Sequence, residues 1–149
     1  MSILTDRLRE QLRERFAQRL QGPVQLILYT RPGSGRLILP SGLGCPTCDD
    51  AKRMAEDLAA AAPERIQLEV VDVSSGSAEV AEVPTLTVGA PGEEPRIRWQ
   101  GLPAGFEFAT VVDAIERVST GAHDLSPASL QGLAAARELV EIMVFATPG

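Results

Sequence analysis

The chain has little that would serve a scaffold, a membrane or a nucleic acid. Only two cysteines, one histidine and 4% aromatic residues occur among 149 residues, so no disulfide framework or histidine-built metal cage is available. No stretch reaches the roughly 20 apolar residues of a membrane span, and the amino terminus lacks the apolar core of a secretory signal. A cytoplasmic, membrane-free protein is the expectation. Basic residues are outnumbered, 14 against 20 acids, for a net charge of −6, and the arginines are dispersed among acids. A phosphate-backbone partner needs a basic patch, so no nucleic-acid partner is expected. What remains is one ordinary α/β-sized domain, long enough for a core.

Apolar residues at Leu4, Leu8, Leu12, Phe16 and Leu20 predict an amphipathic helix over Thr5 to Leu20. Gly22-Pro23 ends it. Val24, Leu26, Ile27, Leu28 and Tyr29 form a nearly continuous apolar run, the pattern of a strand covered on both faces. Arg31 to Gly44 is rich in glycine and proline but holds Leu37-Ile38-Leu39, which reads as a long loop or small hairpin. Pro46 suits a first helical position, and Met54, Ala55 and Leu58 give the second helix its apolar face up to Pro63. Ile66 to Val73 predicts a second strand. Thr85 to Val88 and Arg96 to Gln100, joined through Pro91-Gly92, predict an antiparallel hairpin with Ile97 and Trp99 on one face. A third helix is expected over Glu107 to Val118, ended by Gly121.

The tail repeats the start. Val140 to Gly149 matches Val24 to Gly33 in apolar pattern, and each follows a helical segment, here Ser126 to Leu139. Residues 1–122 therefore read as one unit, and 123–149 as a helix and strand resembling the beginning of another. An apolar strand without a neighbour associates readily, so a homodimer through this carboxy-terminal strand is expected.

The chemistry concentrates at Cys45-Pro46-Thr47-Cys48, after a core strand and at the start of a helix. The unpaired N–H groups and positive dipole end of a helix stabilise an anion, which makes Cys45 the candidate nucleophile. Cys48, one turn on, is the candidate resolving thiol, placed to attack a mixed disulfide on Cys45. Asp49 and Asp50 oppose ionisation nearby. Two other readings stay open: a pair of small apolar side chains in a core, and half of a thiolate metal site completed by a second chain. His123 reads as a solvated loop residue, and no metal ligand set or cofactor is expected. Val83-Pro84-Thr85 opens a strand after a loop. Proline there can take a cis bond, exposing the backbone of Val83 to an extended substrate, or can simply start the strand in trans. Pro46, Thr47, Val83, Pro84 and Thr85 are the candidate substrate-binding residues.

Strand, CxxC at a helix start and Pro-Thr opening a hairpin together resemble the thioredoxin fold, a central mixed sheet flanked by helices. In that family the proline is cis and faces the dithiol, which implies both for Pro84. Within it the chain is similar to the amino-terminal unit of glutaredoxin-like protein disulfide oxidoreductases through Val24 to Tyr29, Gly101 to Phe108 and Val144 to Pro148. Phe106 stands where that family often has histidine. The resemblance implies a thiol–disulfide oxidoreductase acting on disulfide-containing proteins, with an unnamed electron donor. Glutathione contacts are not implied, because Gly89-Ala-Pro-Gly92 lacks the Gly-Gly and acidic residue of glutaredoxins. Arg31 and Arg36 could favour the Cys45 thiolate, with Leu37 to Leu39 as an apolar rim or as a plain cover for a sheet edge. A redox-inactive binding module and a metal-bridged dimer are the alternatives to an enzyme.

Overall fold

A computed structural model of the chain describes residues 4–32, 44–76 and 82–146. Helix α1, Asp6–Arg19, starts where the Thr5 hydroxyl accepts a hydrogen bond from the Leu8 N–H at 3.3 Å, and it buries Leu12 and Phe16. Strand β1, Val24–Thr30, leads towards helix α2, Cys48–Ala61, whose buried stripe is Cys48, Ala51, Met54, Ala55 and Leu58. Strand β2, Ile66–Asp72, ends in a 3-10 turn, Val73–Ser75, with the Asp72 carboxylate accepting from the Ser74 N–H at 2.8 Å. Strands β3, Thr85–Gly89, and β4, Ile97–Gln100, form the expected hairpin. Helix α3, Phe106–Thr120, runs slightly beyond the expected bounds at each end and stops at Gly121, whose φ of +69° a side chain would strain.

The sheet order is β2-β1-β3-β4, with β1 and β2 parallel and the other pairs antiparallel. The two-residue period assigns the faces. Val24, Leu26 and Leu28 share theirs with Ile66, Leu86, Val88 and Trp99. All of these strand residues except Trp99, which is partly buried and packs against them, form one buried cluster with Phe16, Met54, Leu58, Val111 and Ile115, so α1, α2 and α3 cover this face. Each large side chain so buried stabilises the fold by about 1.5–3 kcal/mol. The opposite face carries Gln25, Ile27 and Tyr29, all half-buried, beside Gln67, Glu69 and Arg98. The strand expected to be covered on both faces is therefore fully buried on one only. Polar neighbours on the flanking strands, invisible from β1 itself, keep the second face partly wet.

Two long-range ties hold α3, one to α1 and one to the segment between α1 and β1. Arg15 and Arg19 on α1 both reach the buried Glu116 on α3, Arg15 also reaching Asp113 at 3.0 Å. Ser119 Oγ accepts from the Gln21 N–H at 2.9 Å and donates to the Gly22 carbonyl at 2.7 Å. The Gly22 N–H in turn donates to the Ser119 carbonyl at 2.9 Å, an approach that leaves no room for a Cβ.

The carboxy-terminal expectation is corrected. Helix α4 spans only Pro127–Ala134, capped by the Ser126 hydroxyl, rather than Ser126 to Leu139. Residues Val140 to Phe145 form no strand, and every residue from Gly121 to Phe145 is exposed. A strand is stable only when its N–H and C=O groups meet a neighbouring ladder, and this segment is given none. Its described tie to the sheet is an exposed ion pair between Arg98 and Glu141 at 2.5 Å.

Candidate active site

The parallel pairing of β1 with β2 forces a crossover, and α2 supplies it. The start of α2 thus lies at the end of the sheet where β1 finishes. Antiparallel pairing puts the start of β3 there as well, with Thr85 opposite Tyr29. Cys45 and the 83–85 segment are brought together by that topology. Cys45 Sγ lies 3.6 Å from the carbonyl oxygen of Val83, and the Val83-Pro84 peptide bond is cis. Pro84 is buried, Val83 half-buried, and Thr85 is buried with its hydroxyl donating to the Glu82 carbonyl at 2.7 Å.

Cys45 and Cys48 are joined by a disulfide with a Cα–Cα distance of 5.4 Å. Pro46 does not open the helix. Pro46 and the half-buried Thr47 form a turn in which the Cys48 N–H donates to the Cys45 carbonyl at 3.4 Å, and the helix begins at Cys48. Cys45 therefore sits beyond the helix, off its amino end, while Cys48 is the first residue inside. Exposure separates them: Cys45 is 7% exposed and Cys48 1%. Thr47 offers its side chain to no helical N–H, so the first-turn donors of α2 face the Cys45 end without a side-chain cap. That arrangement favours negative charge at the nearer sulfur of the reduced pair. Asp49 and Asp50 occupy the same turn, and Asp50 stands 3.9 Å from Arg53.

Arg31 lies just past the end of β1. Its charge acts on Asp72, whose carboxyl is held below its ordinary range mainly by hydrogen bonds from Ser74, with Arg31 the smaller contributor. Arg36 and Leu37 to Leu39 lie outside the described residues. His123 is exposed, its Nδ1 accepting from the Leu125 N–H at 3.3 Å. Trp99 packs on the core and donates to Thr110 Oγ1 at 3.1 Å. Among the described residues no group of three or more histidine, cysteine or acidic side chains could hold a metal ion, and no helix is long and apolar enough to cross a membrane.

Sequence reasoning missed one part of the site. The Gly101 N–H donates to the Pro84 carbonyl at 2.8 Å, so the loop before α3 clamps the proline from behind. Pro103, fully buried, anchors that loop. The Leu102-Pro103-Ala104-Gly105 stretch is visible in the sequence as a likeness, but its contact with Pro84 depends on the β3–β4 register.

No protein-family model matches the chain, and no curated protein matches it. Solved structures do. A protein disulfide oxidoreductase from Aeropyrum pernix K1 aligns with a TM-score of 0.71 and 26% identity, over 91% of this chain and 56% of that one. The chain has the thioredoxin fold. The AhpF component of the Enterococcus faecalis alkylhydroperoxide reductase aligns at 0.71 with 18% identity, over 90% of this thioredoxin-fold chain and 61% of that one. The NTD_N/C domain of AhpF from the same organism aligns at 0.67 and 17%, covering 89% and 60%. The last two carry the fold alone. The chain spans a little over half the length of each of these structures.

Proposed function

We propose that the protein is a thiol–disulfide oxidoreductase that reduces disulfides in protein substrates. The observation that carries this is the Cys45–Cys48 disulfide at the head of α2, with Cys45 as the less buried sulfur beside the Val83 carbonyl. The likeness to a protein disulfide oxidoreductase supports it. In the reduced form the Cys45 thiolate attacks one sulfur of the partner disulfide. A Cys45–partner bond forms, the partner's own S–S bond breaks, and its leaving thiolate takes up a proton. The Cys48 thiolate then attacks Cys45, expelling the second partner thiol and closing the Cys45–Cys48 disulfide. Two electrons pass to the partner, and a dithiol reductant must return them. Val83, Pro84 and Thr85 hold the partner's extended backbone, and Pro46 and Thr47 flank the attacked sulfur. In a cytoplasm that keeps thiols reduced, the flow is towards reduction of the partner.

Insulin reduction driven by dithiothreitol tests the roles. Cys45→Ser is expected to abolish catalysis, and Cys48→Ser to accumulate a covalent mixed disulfide with the substrate. Equal activity in wild type and both variants would overturn the assignment. The exposed apolar run from Leu139 to Phe145 favours a second feature, self-association through this segment. A dimer mass in light scattering supports it, and a monomer mass at the assay concentration rejects it.

A further inference from the structure

Within residues 4–120, three large apolar side chains of the described set are markedly exposed, and two of them, Val70 and Ile97, still keep more than half of their surface covered. The third, Phe106, is 93% exposed. A single exposed apolar residue is unremarkable on its own. Its mounting is the observation. β4 ends with Gln100 opposite Thr85, so the chain leaves the sheet at the dithiol end. The Gly101 N–H binds the Pro84 carbonyl, buried Pro103 pins the loop, and Gly105 turns it with a φ of +59°, a conformation that a side chain would strain. The Ala104 N–H donates to the Leu102 carbonyl at 2.9 Å and the Phe108 N–H to the Gly105 carbonyl at 3.3 Å, local bonds that keep the loop compact. Phe106 is then the first residue of α3, held out by a rigid support within at most about 17 Å of the Pro84 contact, the reach of five extended residues. Val83 and Leu102, both half-buried, and exposed Pro46 are the other partly accessible apolar residues of the segments that meet at this end of the sheet.

We propose that Phe106 is a specificity-determining residue: it receives an apolar side chain that lies within a few residues of the cysteine under attack in an extended protein substrate. This rests on disulfide exchange at Cys45. A strand rises about 3.3 Å per residue, so for a partner lying along Val83 a span of about 17 Å corresponds to roughly five residues, which sets the range of substrate positions within reach of Phe106. The backbone that carries the ring is already fixed by the loop, so binding there orders a side chain and not a segment. An aromatic residue at this point selects among protein disulfides by the residues around their cysteines.

The test uses disulfide-linked peptides with serine at all variable positions, and a series carrying one leucine scanned over the five positions on either side of the cysteine. Wild type is expected to show a kcat/KM preference of about tenfold for leucine at one position over the all-serine parent. Phe106→Ser should bring that ratio to within about twofold of unity, and Phe106→Leu should keep most of it. An unchanged ratio in Phe106→Ser, in protein whose thermal unfolding matches wild type, overturns the proposal while leaving the exchange reading intact. No leucine preference in wild type overturns it as well. Absence of wild-type turnover on every peptide and on bis(2-hydroxyethyl) disulfide overturns both readings together.

Discussion

Two segments of this chain carry nearly the same apolar pattern and meet opposite fates. Val24, Leu26 and Leu28 in β1 correspond to Val140, Ile142 and Val144 in the tail. Leu28 is 0% exposed and Val144 86%. β1 has β2 on one side, β3 on the other, and a helical layer over one face. The tail has an ion pair to Arg98 and no ladder among the described residues. Hydrophobicity gives a segment something to gain from burial, but a strand also needs neighbours to take its backbone hydrogen bonds.

The largest effect that can break this comparison is a pair of truncations at corresponding positions. Leu28→Ala removes a side chain packed among buried neighbours and should cost about 2–5 kcal/mol in denaturant unfolding. Val144→Ala should change stability by no more than about 0.5 kcal/mol. A comparable loss at both sites would mean that the tail is packed in solution, and the contrast would fall.

That contrast also marks what the sequence makes legible. β1 follows from its apolar run, the hairpin from its Pro91-Gly92 turn and the strand-forming residues on either side, and the three packed helices from apolar residues at helical spacing, and Cys45 and Cys48 stand out because no other cysteine occurs. The start of α2 lies two residues beyond its expected place, because Pro46 fits a first helical turn as well as it fits the turn that precedes one. The pattern that predicts a tail strand reports side chains and says nothing of partners. The cis bond before Pro84 is legible only through a family likeness, since a proline opening a strand is compatible with both isomers. The clusters around Glu116 and Ser119 are illegible for another reason: each joins residues about a hundred positions apart, 101 for Arg15 and Glu116, and no local pattern announces such a pair.

Glu116 and Glu141 sharpen the comparison by a smaller effect. Both are carboxylates paired with arginine, one between α1 and α3 and the other between β4 and the tail. The Glu116 carboxyl is held below the ordinary glutamate range, chiefly by its hydrogen bond with Arg15 and further by the charges of Arg15 and Arg19, against the opposing effect of burial. The unfolded chain therefore binds its proton more readily than the folded chain, and stability from this group is present at neutral pH and is lost as pH falls through the glutamate range. Arg15 is 40% exposed on its side chain, so solvent screens the pair and holds its worth to about 1 kcal/mol. Glu116→Gln should be less stable than wild type at pH 7, and the gap should close as unfolding is repeated towards pH 3. Glu141→Gln, whose pair is exposed on both sides, should differ from wild type by no more than about 0.5 kcal/mol at pH 7. A gap for Glu116→Gln that stays constant across the titration would mean that the residue acts through packing alone. The charge between α1 and α3 would then be as dispensable as the one on the tail.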